Sequence, residues 1–117
     1  MAMTDKLVVI STCGSMKEAR RLANALVNAR LAACVNIVKS PVESVYRWKG
    51  RVERAREFLL LIKTTKKRFV ALKREIERLH SYDVPEIIAL PIESGSAKYL
   101  QWLGEAVSLK AKRERAR

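Results

Sequence analysis

A chain of 117 residues, 49% of them hydrophobic, is long enough for one domain with its own core, short for two, and too apolar to be a disordered chain. Lys and Arg outnumber Asp and Glu by 24 to 12, a net charge of +12, which raises nucleic acid or an anionic membrane as partner classes. Basic residues are dense only in 110–117, where Lys110, Lys112, Arg113, Arg115 and Arg117 stand against Glu114; elsewhere they are spread along the chain beside Glu and read as solvated surface.

Two cysteines, Cys13 and Cys34, lack metal-pair spacing and a disulfide framework. The apolar run near the start, Leu7 to Ile10, is too short for a signal sequence or a membrane span. The expectation is a cytoplasmic protein with reduced thiols and no membrane association. Without an internal linker or repeat, residues 1–109 read as one domain followed by a basic tail, 110–117.

The first element is a Val/Ile-rich strand, Lys6 to Thr12. Ser15 then offers an N-cap and Glu18, three residues later, completes a capping-box pattern. The helix that follows carries Ala19, Leu22, Ala23, Leu26 and Val27 on one face. Ala32 to Trp48 is an extended stretch in which Pro41, unable to donate to a ladder, marks a bulge or an edge. Trp48-Lys49-Gly50-Arg51 is a turn leading into a partner strand, Glu57 to Thr64. Strands this long exceed the usual five or six residues and should project beyond one subunit's core. A second helix, Lys66 to His80, gathers Phe69, Leu72, Ile76 and Leu79 on one side. A strand is expected over Val84 to Ile92, then a last helix capped by Ser96 and carrying Tyr99, Leu100, Leu103, Ala106 and Val107. The order is β-α-β-β-α-β with an extended hairpin and a C-terminal helix, an α+β sandwich of the ferredoxin-like type.

That order hosts many functions; local strings are more specific. Leu31-Ala32-Ala33-Cys34-Val35-Asn36, Val45-Tyr46-Arg47-Trp48-Lys49-Gly50, Leu61-Ile62-Lys63-Thr64, His80-Ser81-Tyr82-Asp83-Val84-Pro85-Glu86-Ile87 and Tyr99-Leu100-Gln101-Trp102-Leu103 occur in sequence. Together, over roughly residues 6–107, they closely resemble the CutA divalent-cation-tolerance family. The resemblance implies a PII-like homotrimer whose long hairpins pair with neighbouring sheets, and a role in the response to metal ions, with copper the usual candidate. Two positions depart from the family pattern. Ser81 stands where Pro usually follows the motif His, which should loosen that turn. Ser11 stands where some members carry a metal-binding Cys, and this chain's own thiol, Cys13, lies two residues on, on the same strand face.

His80, Asp83 and Glu86, with Cys13, form the candidate metal set, since imidazole and thiolate suit copper or zinc; any site would be completed between subunits. In the bland alternative His80 merely ends a helix and Glu86 pairs with a basic residue. Cys34, beside Ala33 and Val35, is expected to be a small buried core thiol. Tyr46 and Trp48 are candidate trimer-interface anchors; Tyr99 and Trp102 read as core. Lys63 interrupts an apolar strand and, with Tyr82, is a candidate for a cleft that binds a small anionic ligand.

Enzyme signatures are missing: the four glycines form no phosphate loop, and there is no G-x-S-x-G elbow or HExxH pair. No organic cofactor is implied. The expectation is a trimeric protein without catalytic turnover, binding copper, another divalent cation or a small ligand at subunit clefts. The alternative is a nucleic-acid-binding module using the basic surface and tail, for which specific binding is not expected.

Overall fold

The computed structural model describes residues 4–109, so the basic tail of 110–117 lies outside the described residues. The chain runs β1 (Lys6–Cys13), α1 (Met16–Asn28), β2 (Cys34–Ile37), β3 (Val42–Trp48), β4 (Arg51–Thr65), α2 (Lys66–Leu79), β5 (Ile88–Pro91) and α3 (Ala97–Ala106). The sheet order is β2-β4-β1-β5, all neighbours antiparallel, with β3 paired to β4. This is the ferredoxin-like α+β arrangement expected, its second strand divided by Pro41 into β2 and β3.

β4 is the spine. Over Phe58–Thr65 it pairs with β1, over Leu60–Lys63 also with β2, and over Arg51–Glu57 with β3 alone. It therefore begins six residues before the expected Glu57. The β3–β4 hairpin closes through Lys49 (φ 50°) and Gly50 (φ 78°) between the paired Trp48 and Arg51. Positive φ at both central residues is the turn whose twist matches the flanking strands. The hairpin projects: the radius of gyration is 15.1 Å, against about 13 Å for a globular chain of this length.

Register divides the sheet into two faces. Leu7, Val9, Ser11 and Cys13 of β1 and Leu60, Ile62 and Thr64 of β4 lie on the helix-covered face, buried against Leu22, Leu26, Leu72 and Ile76. Apart from Leu7 at 6%, each of these leucines and isoleucines is 0–1% exposed and contributes on the order of 1.5–3 kcal/mol by leaving water. Phe69 and Leu79 join this core from its edge. α3 forms a second cluster, with Leu103 and Val107 packed against Ala33, Ile92, Tyr99 and Trp102, at the Lys6 end of β1.

Three local expectations are corrected. Ser15 does cap α1, its Oγ accepting from the Glu18 N–H at 3.1 Å, but the Glu18 carboxylate crosses to Ser81, accepting from its N–H at 2.8 Å and its Oγ–H at 3.0 Å. The Ser81 turn is thereby tied down rather than loosened, through a backbone donor that proline lacks. The strand expected over Val84 to Ile92 shrinks to Ile88–Pro91, because the preceding residues form a connection around Pro85. The thiols exchange roles: Cys13, on the helix-covered face, is fully buried, while Cys34, facing the other way opposite Lys63, is half-buried.

Candidate functional site

The open end of β1 and the hairpin create a cleft of ≈610 Å³. Its floor is a run of same-face positions: Thr12 of β1, Glu57 of β4, and Ser44, Tyr46 and Trp48 of β3. Its wall is the α2–β5 connection, which supplies Tyr82, Asp83, Val84 and Glu86. Proline and the turn shape this wall, but His80 anchors it. The ring, 8% exposed, accepts at Nδ1 from the Tyr82 N–H (3.0 Å), which assigns the remaining proton to Nε2, donated to the Thr12 carbonyl at 2.7 Å. The imidazole thus ties the end of α2 to the end of β1 and holds Tyr82 over the cleft, their rings 4.7 Å apart.

Tyr82 donates its hydroxyl to Glu57 Oε2 at 2.9 Å. Burial first, then the Glu57 carboxylate, pushes the Tyr82 phenol well above its ordinary range, so it stays a donor. Glu57 is 8% exposed and has no other hydrogen bond or ion pair among the described residues. Its second oxygen therefore accepts from no side chain or backbone group among the described residues. Glu18, on the far side of the same turn, differs. Burial pushes its carboxyl up, but the Ser81 donors and His80, with Nδ1 at 3.7 Å, outweigh this and hold it below the usual carboxylate value.

The structure gathers Tyr46, Trp48, Tyr82, Asp83 and Glu86 around one cavity and leaves the other candidates out of it. His80 stands behind the wall, both ring nitrogens engaged with backbone groups, so it is not presented as a ligand. Cys13 is buried beneath Thr12 with Sγ donating to the Ser15 carbonyl, and burial pushes its thiol up to about 11; a metal ligand must be the thiolate. Among the described residues no three His, Cys, Asp or Glu side chains come together as a metal-holding group, so within one chain His80, Asp83, Glu86 and Cys13 do not by themselves form such a set. Lys63 lies on the open sheet face between Val8 and Cys34, four positions along β4 from Leu59, about 13 Å from the cleft end at strand spacing. It does not line the cleft beside Tyr82.

Glu57 is the residue that sequence reasoning missed. A signal existed: it shares strand parity with Leu59 and Leu61, which puts a carboxylate in line with an apolar row. Along β1 and β5 the same face continues through Val8, Ile10, Ile88 and Leu90, which are aliphatic and incompletely covered. Among the described residues no helix is long and apolar enough to cross a membrane.

Comparison with known proteins bears on the whole domain. The family described as CutA1 divalent ion tolerance protein matches residues 7–106. The divalent-cation tolerance protein CutA of Thermus thermophilus is 53% identical over 98 residues, 84% of this chain and 94% of that protein. The chloroplastic protein CutA of Arabidopsis thaliana is 48% identical over 83% of this chain; the chain spans about half, 53%, of that longer relative. A solved structure of the Thermus thermophilus protein superposes with a TM-score of 0.84 at 51% identity, covering 86% of this chain and 97% of that one. With a family match spanning residues 7–106 and a relative 53% identical over nearly its whole length, the chain belongs to the CutA1 divalent ion tolerance family.

Proposed function

We propose that this protein is a homotrimeric, non-catalytic binding protein acting in tolerance of divalent cations, which takes a small ligand or metal ion in the cleft between β3 and the α2–β5 connection. The observation that carries this reading is the cleft itself: ≈610 Å³, lined by aromatic and acidic side chains from segments far apart in sequence and wide enough for a small molecule. Binding rather than turnover fits a site whose neighbouring imidazole is engaged by backbone at both nitrogens. Trimerisation is supported by apolar surface left uncovered on one chain: Ile88 and Leu90 on the open sheet face are 48% and 47% exposed, and Val45 and Val52 on the hairpin 56% and 60%. Exposed aliphatic residues on both the sheet and the hairpin are surface that a neighbouring subunit would cover. The cytoplasm is the proposed compartment, resting on the two free thiols, although one relative is named chloroplastic and an Archaeoglobus fulgidus structure periplasmic.

Light scattering at micromolar concentration should give three times the 13.3 kDa subunit mass; a stable monomer would sink the trimer. For metal, calorimetric titration with Cu(II) separates two forms of the reading. If a divalent ion enters the cleft it meets Asp83 and Glu86, so His80→Ala should leave copper affinity within about twofold while Asp83→Ala with Glu86→Ala lowers it. Because imidazole ligation is typically worth tenfold or more, on the order of 1.4 kcal/mol, a tenfold loss in His80→Ala alone would return His80 to the ligand set.

A further inference from the structure

The lining of the cleft carries carboxylates that no basic side chain pairs with among the described residues. Glu57 is 8% exposed, its Oε2 holds the Tyr82 hydroxyl, and its Oε1 makes no hydrogen bond among the described residues. Asp83 and Glu86 face the same space from the wall, and neither has an ion pair among the described residues. This occurs in a chain with 24 Lys and Arg, where a basic neighbour would be the ordinary outcome. The charge complementary to this cleft is therefore left for a ligand.

The geometry narrows the class of that ligand. A metal ion needs donors converging on a point, and these carboxylates do not form such a group. They are distributed around a cavity of ≈610 Å³ also lined by Tyr46 and Trp48, with the Lys49 ammonium 6.0 Å from the Trp48 ring centroid at its rim. Separated carboxylates and aromatic rings together fit a cation extended over several atoms, whose N–H groups reach Glu57 and a second carboxylate while its charge or methylenes lie on a ring. An anion would meet three negative charges there, and Lys63, the basic residue expected to hold it, is outside the cleft.

We propose that the cleft binds an organic cation, a guanidinium or protonated amine on a short aliphatic stem, with Glu57 as its buried anchor. This rests on the reading of the cleft as the ligand site.

The test uses the full chain in its native assembly, titrated by calorimetry with agmatine, tetramethylammonium, inorganic phosphate and Cu(II). Tryptophan fluorescence in a Trp102→Phe background reports on Trp48. A protein of net charge +12 does not concentrate cations non-specifically, so saturable amine binding has to come from a built site. Agmatine should bind and perturb Trp48, and Glu57→Gln, which keeps an acceptor for Tyr82, should weaken it at least about tenfold through loss of the buried charge pair. Lys63→Ala should leave it unchanged. If Glu57→Gln fails to fold, Asp83→Asn supplies the same reading. Amine binding indifferent to both variants overturns the proposal. Phosphate or Cu(II) perturbing Trp48 without any amine binding overturns the ligand class but leaves the cleft as a site. No probe reaching Trp48 removes both.

Discussion

Two carboxylates flank the turn at His80–Tyr82 and meet different fates. Glu18, reaching over from α1, has both oxygens engaged by Ser81, and those donors help hold its pKa below the usual carboxylate value. Glu57, from β4, has one oxygen engaged by Tyr82 and the other left at the cleft. Both are largely withdrawn from water, so burial does not distinguish them; the number of donors does. A carboxylate with its donors supplied locks two elements together, whereas one left short of donors stores an affinity for something else. The turn between them serves both, because Ser81 faces α1 while Tyr82 faces the cleft.

The sharpest way to break this contrast is to remove each acid and read stability. Glu18→Ala should cost about 2–3 kcal/mol at pH 7, since two hydrogen bonds to a charged group are lost. By comparison Glu57→Gln should change stability by less than about 1 kcal/mol, as the amide oxygen still accepts from Tyr82. Denaturant midpoints of the two variants would show it, and equal losses would erase the distinction. The pH dependence has a definite sign. The folded pKa of Glu18 lies below its unfolded value, so its contribution is present above the unfolded value and lost as pH falls through the folded one. The gap between wild type and Glu18→Gln should therefore be constant from pH 6 to 8 and close below about pH 4.

A smaller effect sharpens the role of the turn. His80 already has φ −73° and ψ 142°, a conformation that a following proline accepts. Ser81→Pro should thus fit the backbone and lose the same two donors to Glu18, partly offset by the proline's smaller unfolded-state entropy, a net cost of about 1–2 kcal/mol in thermal or chemical unfolding. A larger loss would mean that the turn depends on Ser81 for more than those bonds. The smallest effect concerns Ser11, whose Oγ is buried on the helix-covered face without a hydrogen-bond partner. Ser11→Ala should be neutral or stabilising by up to about 1 kcal/mol, and a clear destabilisation in calorimetry would show that the hydroxyl is satisfied in solution.

Much of the fold is written in interactions that span three or four residues, and these were legible. Ser15 and Ser96 do cap α1 and α3, Gly50 does turn the hairpin, and the apolar faces of both larger helices do enter the core, because caps, turns and amphipathic period are local physics. The sequence also singled out Tyr46 and Trp48, as interface anchors, Asp83 and Glu86, as metal candidates, and Tyr82, as a cleft residue, and all five line the cavity. What the neighbours along the chain could not decide was the partner of each polar group. Glu18 carried the capping-box signature and instead found Ser81, 63 residues away. The sequence left His80 open between a ligand and a helix end, and only the assembled sheet set the Thr12 carbonyl against its ring. Glu57 resembled the charged start of a strand until the β3–β4 register extended that strand by six residues and set the acid at the junction of β1, β3 and the wall. Strand parity assigns a face, but only the assembled sheet brings positions 12, 44–48, 57 and 82–86 to one place, and that proximity turns unremarkable carboxylates into a cleft awaiting a counter-charge.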